Sequence, residues 1–151
     1  MYRTHIVIAV FFILLFLPNV NSKIVFIITS LFAVMLPDID TAFSKFGRAK
    51  VARIVQLFTR HRGFFHSFTF CIVVSVMLAF FPYTVVLTLP FFLGYSVHLL
   101  ADSFTYEGIM PFWPYKRRIS WKIPVGGIVE KSIFVSFLVV DLFMFASLVL
   151  F

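Results

Sequence analysis

Five apolar stretches run along the chain, Ile6 to Leu17, Ile24 to Leu36, Phe64 to Phe81, Val85 to Leu100 and Ile133 to Phe151, each bounded by turn or charge signals. Each predicts a helix. The first two are short, so to span a membrane they must recruit flanking residues or tilt and thin the bilayer. Pro18-Asn19-Val20-Asn21-Ser22 supplies a tight turn between them, which predicts a helical hairpin. Phe64 to Phe81 is long enough to cross alone, and Pro82 ends it because proline cannot continue the hydrogen-bond ladder. Pro90 predicts a kink in the fourth helix, and the last stretch is interrupted only by Asp141.

Two polar segments separate these stretches. Thr41 to Arg62 interleaves Lys45, Arg48, Lys50, Arg53, Arg60 and Arg62 with Phe46, Val51, Ile54, Val55, Leu57 and Phe58, the pattern of a basic amphipathic helix lying on a membrane surface. Ala101 to Ser132 sets Lys116, Arg117, Arg118, Lys122 and Lys131 beside Trp113, Tyr115 and Trp121, aromatics that favour the headgroup region. The predicted fold is therefore all-α: a polytopic transmembrane bundle of about five helices plus a basic interfacial helix, in a single membrane-embedded domain over residues 1–151.

Composition agrees with that pattern. The chain is 62% hydrophobic and 13% charged over 151 residues, more apolar side chain than a soluble domain of this length can bury. Its net charge of +7 suggests nucleic acid at first sight. In a chain this apolar, basic residues are better explained as loop anchors, and the bilayer rather than nucleic acid is the expected partner. With five spans and the N-terminus inside, 12 of the 13 Lys and Arg fall on the cytoplasmic face and only Lys23 falls outside. That bias predicts an N-in, C-out orientation. The opening resembles a signal peptide, but no small-x-small cleavage site follows, so the expectation is a retained first helix. The single Cys71, inside an apolar run, excludes a disulfide framework and reads as a small buried hydrophobe.

Placing the protonatable residues on this topology exposes a pattern that charge alone does not. His5 opens the first helix, Asp38 and Asp40 close the second, His61 and His66 flank the start of the third, and His98 and Asp102 end the fourth. These seven include all 4 histidines and half of the 6 acids, all at the cytoplasmic boundary. His98 and Asp102 are four apart and share a helix face. In Leu36-Pro37-Asp38-Ile39-Asp40, alternate carboxylates on a turning backbone can aim the same way. Mixed imidazole and carboxylate ligands suit zinc first, with manganese or iron as alternatives, and the lack of thiolates favours a catalytic over a structural ion.

Each residue has a plainer reading. An interfacial histidine is satisfied by backbone or headgroup, and an Asp at a helix end pairs with Arg48, Arg53, Arg60 or Arg62. The set taken together argues otherwise, because coincidence would have to put every histidine on one side of a two-sided membrane. Glu130, on the same face, is a candidate general base or an acid supporting a ligand, with a partner role for Lys131 or an arginine as the alternative. Glu107 is expected in solvent, and Asp141, about 12 Å along the last helix, is expected in the bilayer or bundle without an assigned role.

Leu36-Pro37-Asp38-Ile39-Asp40, His61-Arg62-Gly63-x-x-His66-Ser67, and Gly94-Tyr95-x-x-His98-x-x-Ala101-Asp102-x-x-Thr105-x-x-Gly108 followed by Trp113-Pro114, resemble the motifs of the YdjM family. That family is described as LexA-regulated, inner-membrane, metal-dependent hydrolases, which implies a place in the SOS response. The resemblance implies that His5, Asp38, Asp40, His61, His66, His98 and Asp102 stand at its metal-ligand positions. Phe65 stands where a threonine is expected, and Glu107 where a small residue is usual. The leading expectation is hydrolysis of a phosphoester or lipid-like substrate, with Asp40 or Glu130 moving the proton. The alternatives are a non-enzymatic metal-binding protein, a divalent-ion transporter, and a structural factor with salt-bridged acids. Oligomeric state is left open.

Overall fold

The computed structural model describes residues 2–38 and 64–150. Asp40, His61 and the expected basic amphipathic helix lie outside the described residues. Within them the fold is all-helical: α1 (Tyr2–Phe16), α2 (Lys23–Met35), α3 (Phe68–Phe80), α4 (Val85–Ser103) and α5 (Ile128–Leu150). Short 3-10 turns at Leu17–Asn19, Leu36–Asp38 and Phe64–His66 punctuate them.

Proline and side-chain caps account for several of the boundaries. Pro18 enters the turn that closes α1. Ser67 caps α3 by accepting from the Phe70 N–H at 3.2 Å, while its own hydroxyl donates to the Phe64 carbonyl at 2.5 Å. Phe81, which precedes Pro82, is extended (φ −103°, ψ 125°), because the proline ring disfavours helical backbone before it. Helix α4 continues through the buried Pro90.

Two boundaries differ from expectation. The stretch from Phe64 to Phe81 does not form one spanning helix, because Phe64–His66 is a separate turn and the helix begins only after the Ser67 cap. The 13 residues of α3 extend about 20 Å, short of a hydrocarbon core of about 30 Å. At the other end, α5 starts at Ile128, not Ile133. Glu130 therefore lies in its first turn, reaching back to the Gly126 N–H at 2.5 Å as a capping-box acid does. Asp141 accordingly sits about 20 Å into α5 rather than 12 Å. Among the described residues, three helical segments are long and apolar enough to cross a membrane: Tyr2–Asn19, Val85–Ser103 and Ile128–Leu150.

Helix α4 is the centre of the bundle, packed against α2, α3 and α1, whereas α5 packs on α1. One core cluster joins Ala33, Cys71, Phe91, Tyr95, Leu99 and Ile109; a second joins Ala9, Val34 and Val97. The register between neighbours can be read from paired contacts. Thr4 meets Glu130 and Phe11 meets Phe137, each 126 apart in sequence, so α1 and α5 run parallel and in step. Gly94 lies against Ser30 and His98 against Val34, each 64 apart, so α2 and α4 do the same. Parallel alternate helices bring the starts of α1 and α5 to one end of the bundle, and put the ends of α2 and α4 side by side.

Candidate metal centre

The site is built from four helix ends. His5 comes from the first turn of α1, Asp38 from the turn after α2, His66 from the turn before α3, and His98 and Asp102 from the last turns of α4. His5, His66, His98 and Asp102 are all buried, and the Asp38 side chain, 43% exposed, stands at the solvent side. His5 Nε2 lies 3.2 Å from Asp102 Oδ1, and His98 Nε2 lies 3.6 Å from Asp102 Oδ2 and 3.8 Å from Asp38 Oδ1. The rings of His5 and His98 are 4.4 Å apart between centroids, and those of His66 and His98 5.9 Å.

The hydrogen bond of His98 decides what the ring can do. Its Nδ1 lies 2.8 Å from the Val34 carbonyl oxygen, which can only accept, so Nδ1 carries the proton. In the neutral ring Nε2 is then the nitrogen with the lone pair, and it faces the two carboxylates. Fixing the tautomer through a backbone carbonyl is how metal-ligating histidines are commonly held. A close helix crossing sets up this contact one turn away. A Cβ on Gly94 would lie 2.2 Å from the Ser30 carbonyl oxygen and 3.0 Å from Ala33 Cβ, so only glycine lets α2 and α4 approach this far.

Supporting contacts hold the other contributors. Tyr95 donates its hydroxyl proton to the Phe65 carbonyl and so secures the turn bearing His66. Thr4, next to His5, donates to Glu130 Oε1 at 2.8 Å, while Glu130 Oε2 accepts from Gly126. Glu130 thus ties the start of α5 to the turn that delivers His5. Thr105 Oγ1 donates to the Asp102 carbonyl at 2.8 Å, fixing the end of α4.

A divalent ion fits this donor set. Among the described residues, His5, His98 and Asp102 form one group whose ligand atoms lie within 4.8 Å of one another, and Asp38, His66 and His98 form another. The two groups share His98, which has one ring nitrogen left for a ligand bond, so they adjoin one another at that residue. Ligand bonds of about 2.0–2.2 Å place neighbouring ligand atoms about 3–4 Å apart, which the 3.2–3.8 Å separations match. Among the described residues, His98 Nε2 and His5 Nδ1 are buried without a hydrogen-bond partner, a costly state for imidazole nitrogens in a protein interior.

Sequence reasoning found the ligand types but not their supports. The Val34 carbonyl is a backbone atom and leaves no residue signal, and Thr4 reads as an ordinary helix residue. Gly94 was visible as part of a motif, but its reason, a helix crossing, was not. Asp141 is buried in α5, and among the described residues its Oδ1 makes no hydrogen bond. At the register of 126, it stands level with Leu15, eleven residues along α1 from Thr4.

Apolar helices of spanning length around a buried cluster of imidazoles and carboxylates define a helical membrane protein whose interior can accept a divalent cation. The chain belongs to the YdjM inner membrane protein family, whose profile matches residues 1–150. No curated protein and no solved structure matches it.

Proposed function

We propose that this protein is a membrane-bound, metal-dependent hydrolase whose site faces the cytoplasm and acts on a phosphoester or lipid-like substrate. His5, Asp38, His66, His98 and Asp102 would hold the ion, zinc in the first instance, with Asp40 and His61 as further ligands by their place in the sequence. The bound ion would supply Lewis acidity to water and to the ester. His98 presents its Nε2 lone pair because Val34 keeps the proton on Nδ1. Asp102 stands between His5 and His98 and compensates the charge of the pocket. Asp38, the most exposed of the five, borders the entry for substrate and water. Glu130, or Asp40 where it does not ligate the ion, would take the proton released on hydrolysis. The distribution of basic residues supports a multi-pass chain with its N-terminus in the cytoplasm.

The observation that carries this reading is the arrival of five ligand-type side chains from four helix ends in two groups that share His98. Metal analysis of detergent-purified protein tests it, with His98→Ala and Asp102→Ala as controls. Wild type should hold a stoichiometric transition metal and both variants should lose it; equal trace metal in all three would end the metal reading. Turnover of phosphoester and lipid substrates by metal-loaded protein then tests the hydrolase. A second reading, a metal-binding protein without turnover, draws on the depth of the pocket, where four of the five side chains are buried. Stoichiometric metal with no activity across the panel would favour it, and metal uptake into vesicles would favour a transporter.

A further inference from the structure

The loop 104–127 joins the end of α4 to the start of α5, both long and apolar enough to cross a membrane, so it emerges where a bilayer's headgroups begin. It is held in place rather than loosely tethered. Ile109 and Ile119 exchange two backbone hydrogen bonds of 2.9 Å, and the Trp121 N–H donates to the Thr105 carbonyl at 3.1 Å. Gly108 (φ +54°) permits this closure, since a Cβ there would lie 2.1 Å from the Ile119 carbonyl oxygen. Ile109 is buried in the core, and the Pro111 and Trp113 carbonyls accept from the Phe68 N–H and the Thr69 hydroxyl at the start of α3. The loop is thereby fixed beside the turn that carries His66.

Its outer surface combines two chemistries. Phe112, Trp113, Tyr115 and Trp121 are 61%, 45%, 78% and 65% exposed, far more aromatic surface than a loop needs in water. Lys116, Arg117, Arg118 and Lys122 are exposed among them, and the sequence carries no Asp or Glu from Gly108 to Val129. Amphipathic rings belong at the carbonyl and headgroup level, and clustered cations beside a span are attracted to anionic lipid.

We propose that this loop is a docking surface for the anionic phospholipid headgroup layer, with Trp113, Tyr115 and Trp121 seated in the interface and Lys116, Arg117, Arg118 and Lys122 on lipid phosphates. Nucleic acid could use the same cations and rings, but the loop's fixed place at the ends of two spanning helices favours lipid. The proposal stands apart from the metal reading.

Trp113 and Trp121 are the only 2 tryptophans in the chain, so tryptophan emission of the full protein reports on this loop alone. The protein is reconstituted, with and without chelator, into vesicles containing brominated phosphatidylglycerol or brominated phosphatidylcholine at equal mole fraction. Phosphatidylglycerol should quench about twofold more or better, chelator or not. Salt at about 1 M, where the Debye length is about 3 Å, should abolish the excess. The K116Q/R117Q/R118Q/K122Q variant should lose the excess while retaining quenching by phosphatidylcholine. Equal quenching by both lipids would overturn the proposal and leave only neutral aromatic anchoring. Quenching by aqueous iodide without quenching by either lipid would overturn it too, as would a response to an oligonucleotide with no preference between the lipids.

Discussion

Helices α4 and α5 are both long and apolar enough to cross a membrane, yet nine residues of α4 are buried inside the protein against two, Glu130 and Asp141, of α5. The more apolar of the two is the one left outside. In water the reverse would be expected, because apolar surface is driven inward. In a bilayer, lipid solvates Leu and Phe as well as protein does, so helices are brought together by close packing and polar partners. Helix α4 has both: Gly94 for the approach of α2, and His98 and Asp102 for the polar cluster. Helix α5 has Glu130 at its start and Asp141 within, and between them exposes Val135, Leu138, Val139 and Val140.

The comparison breaks if substitutions on the two helices cost alike. The largest effect is expected for His98→Ala, which removes the shared ligand: metal affinity should fall by more than about 100-fold, measured by metal analysis after dialysis. It also removes the hydrogen bond to the buried Val34 carbonyl, at a cost of about 1–3 kcal/mol seen in the unfolding midpoint in fixed detergent. Gly94→Ala comes next. Its Cβ must push α2 and α4 apart, costing about 1–3 kcal/mol, and metal binding should weaken because His98 leaves Val34. Unchanged stability and metal content would show that the crossing is not what sets the ligand.

Glu130→Gln tests the link between the two helices through α1. Losing the charge on a carboxylate that accepts from Thr4 and Gly126 should cost about 1 kcal/mol, with metal affinity lowered severalfold through the His5 turn. Should Glu130 act only in proton transfer, turnover would drop with metal affinity intact. The smallest effect is expected for Asp141→Leu, which replaces a buried carboxylate by an apolar group of similar size. Stability should change by less than about 1 kcal/mol, in either direction, and metal content should not change. Loss of metal in this variant would place α5 in the site and end the contrast.

Much of the fold was legible because proline and hydrophobic runs act locally. Pro18 and Pro82 sit at or beside helix ends as expected, and the first, second and fourth apolar stretches correspond closely to helices. The third did not, since Ser67 and the turn before it begin α3 four residues late, and apolarity alone does not distinguish a turn of Phe64 and Phe65 from a helix of them. The start of α5 was missed for the opposite reason. Glu130-Lys131-Ser132 reads as loop until Glu130 is seen capping its own helix and holding Thr4. Of the seven ligand candidates, five fall in two groups that share His98, and Asp40 and His61 lie outside the described residues.

By itself, the sequence determined that this chain lives in a membrane, roughly where its helices begin and end, and which residue types have metal-binding chemistry, because those properties belong to single residues and short runs. Only the tertiary structure decided that His98 offers Nε2, that α4 is inside and α5 outside, and that Glu130 ties α5 to the turn of His5. Each of these depends on a contact between residues 64 or 126 positions apart. The periodicity of a helix does not encode which neighbour it will face.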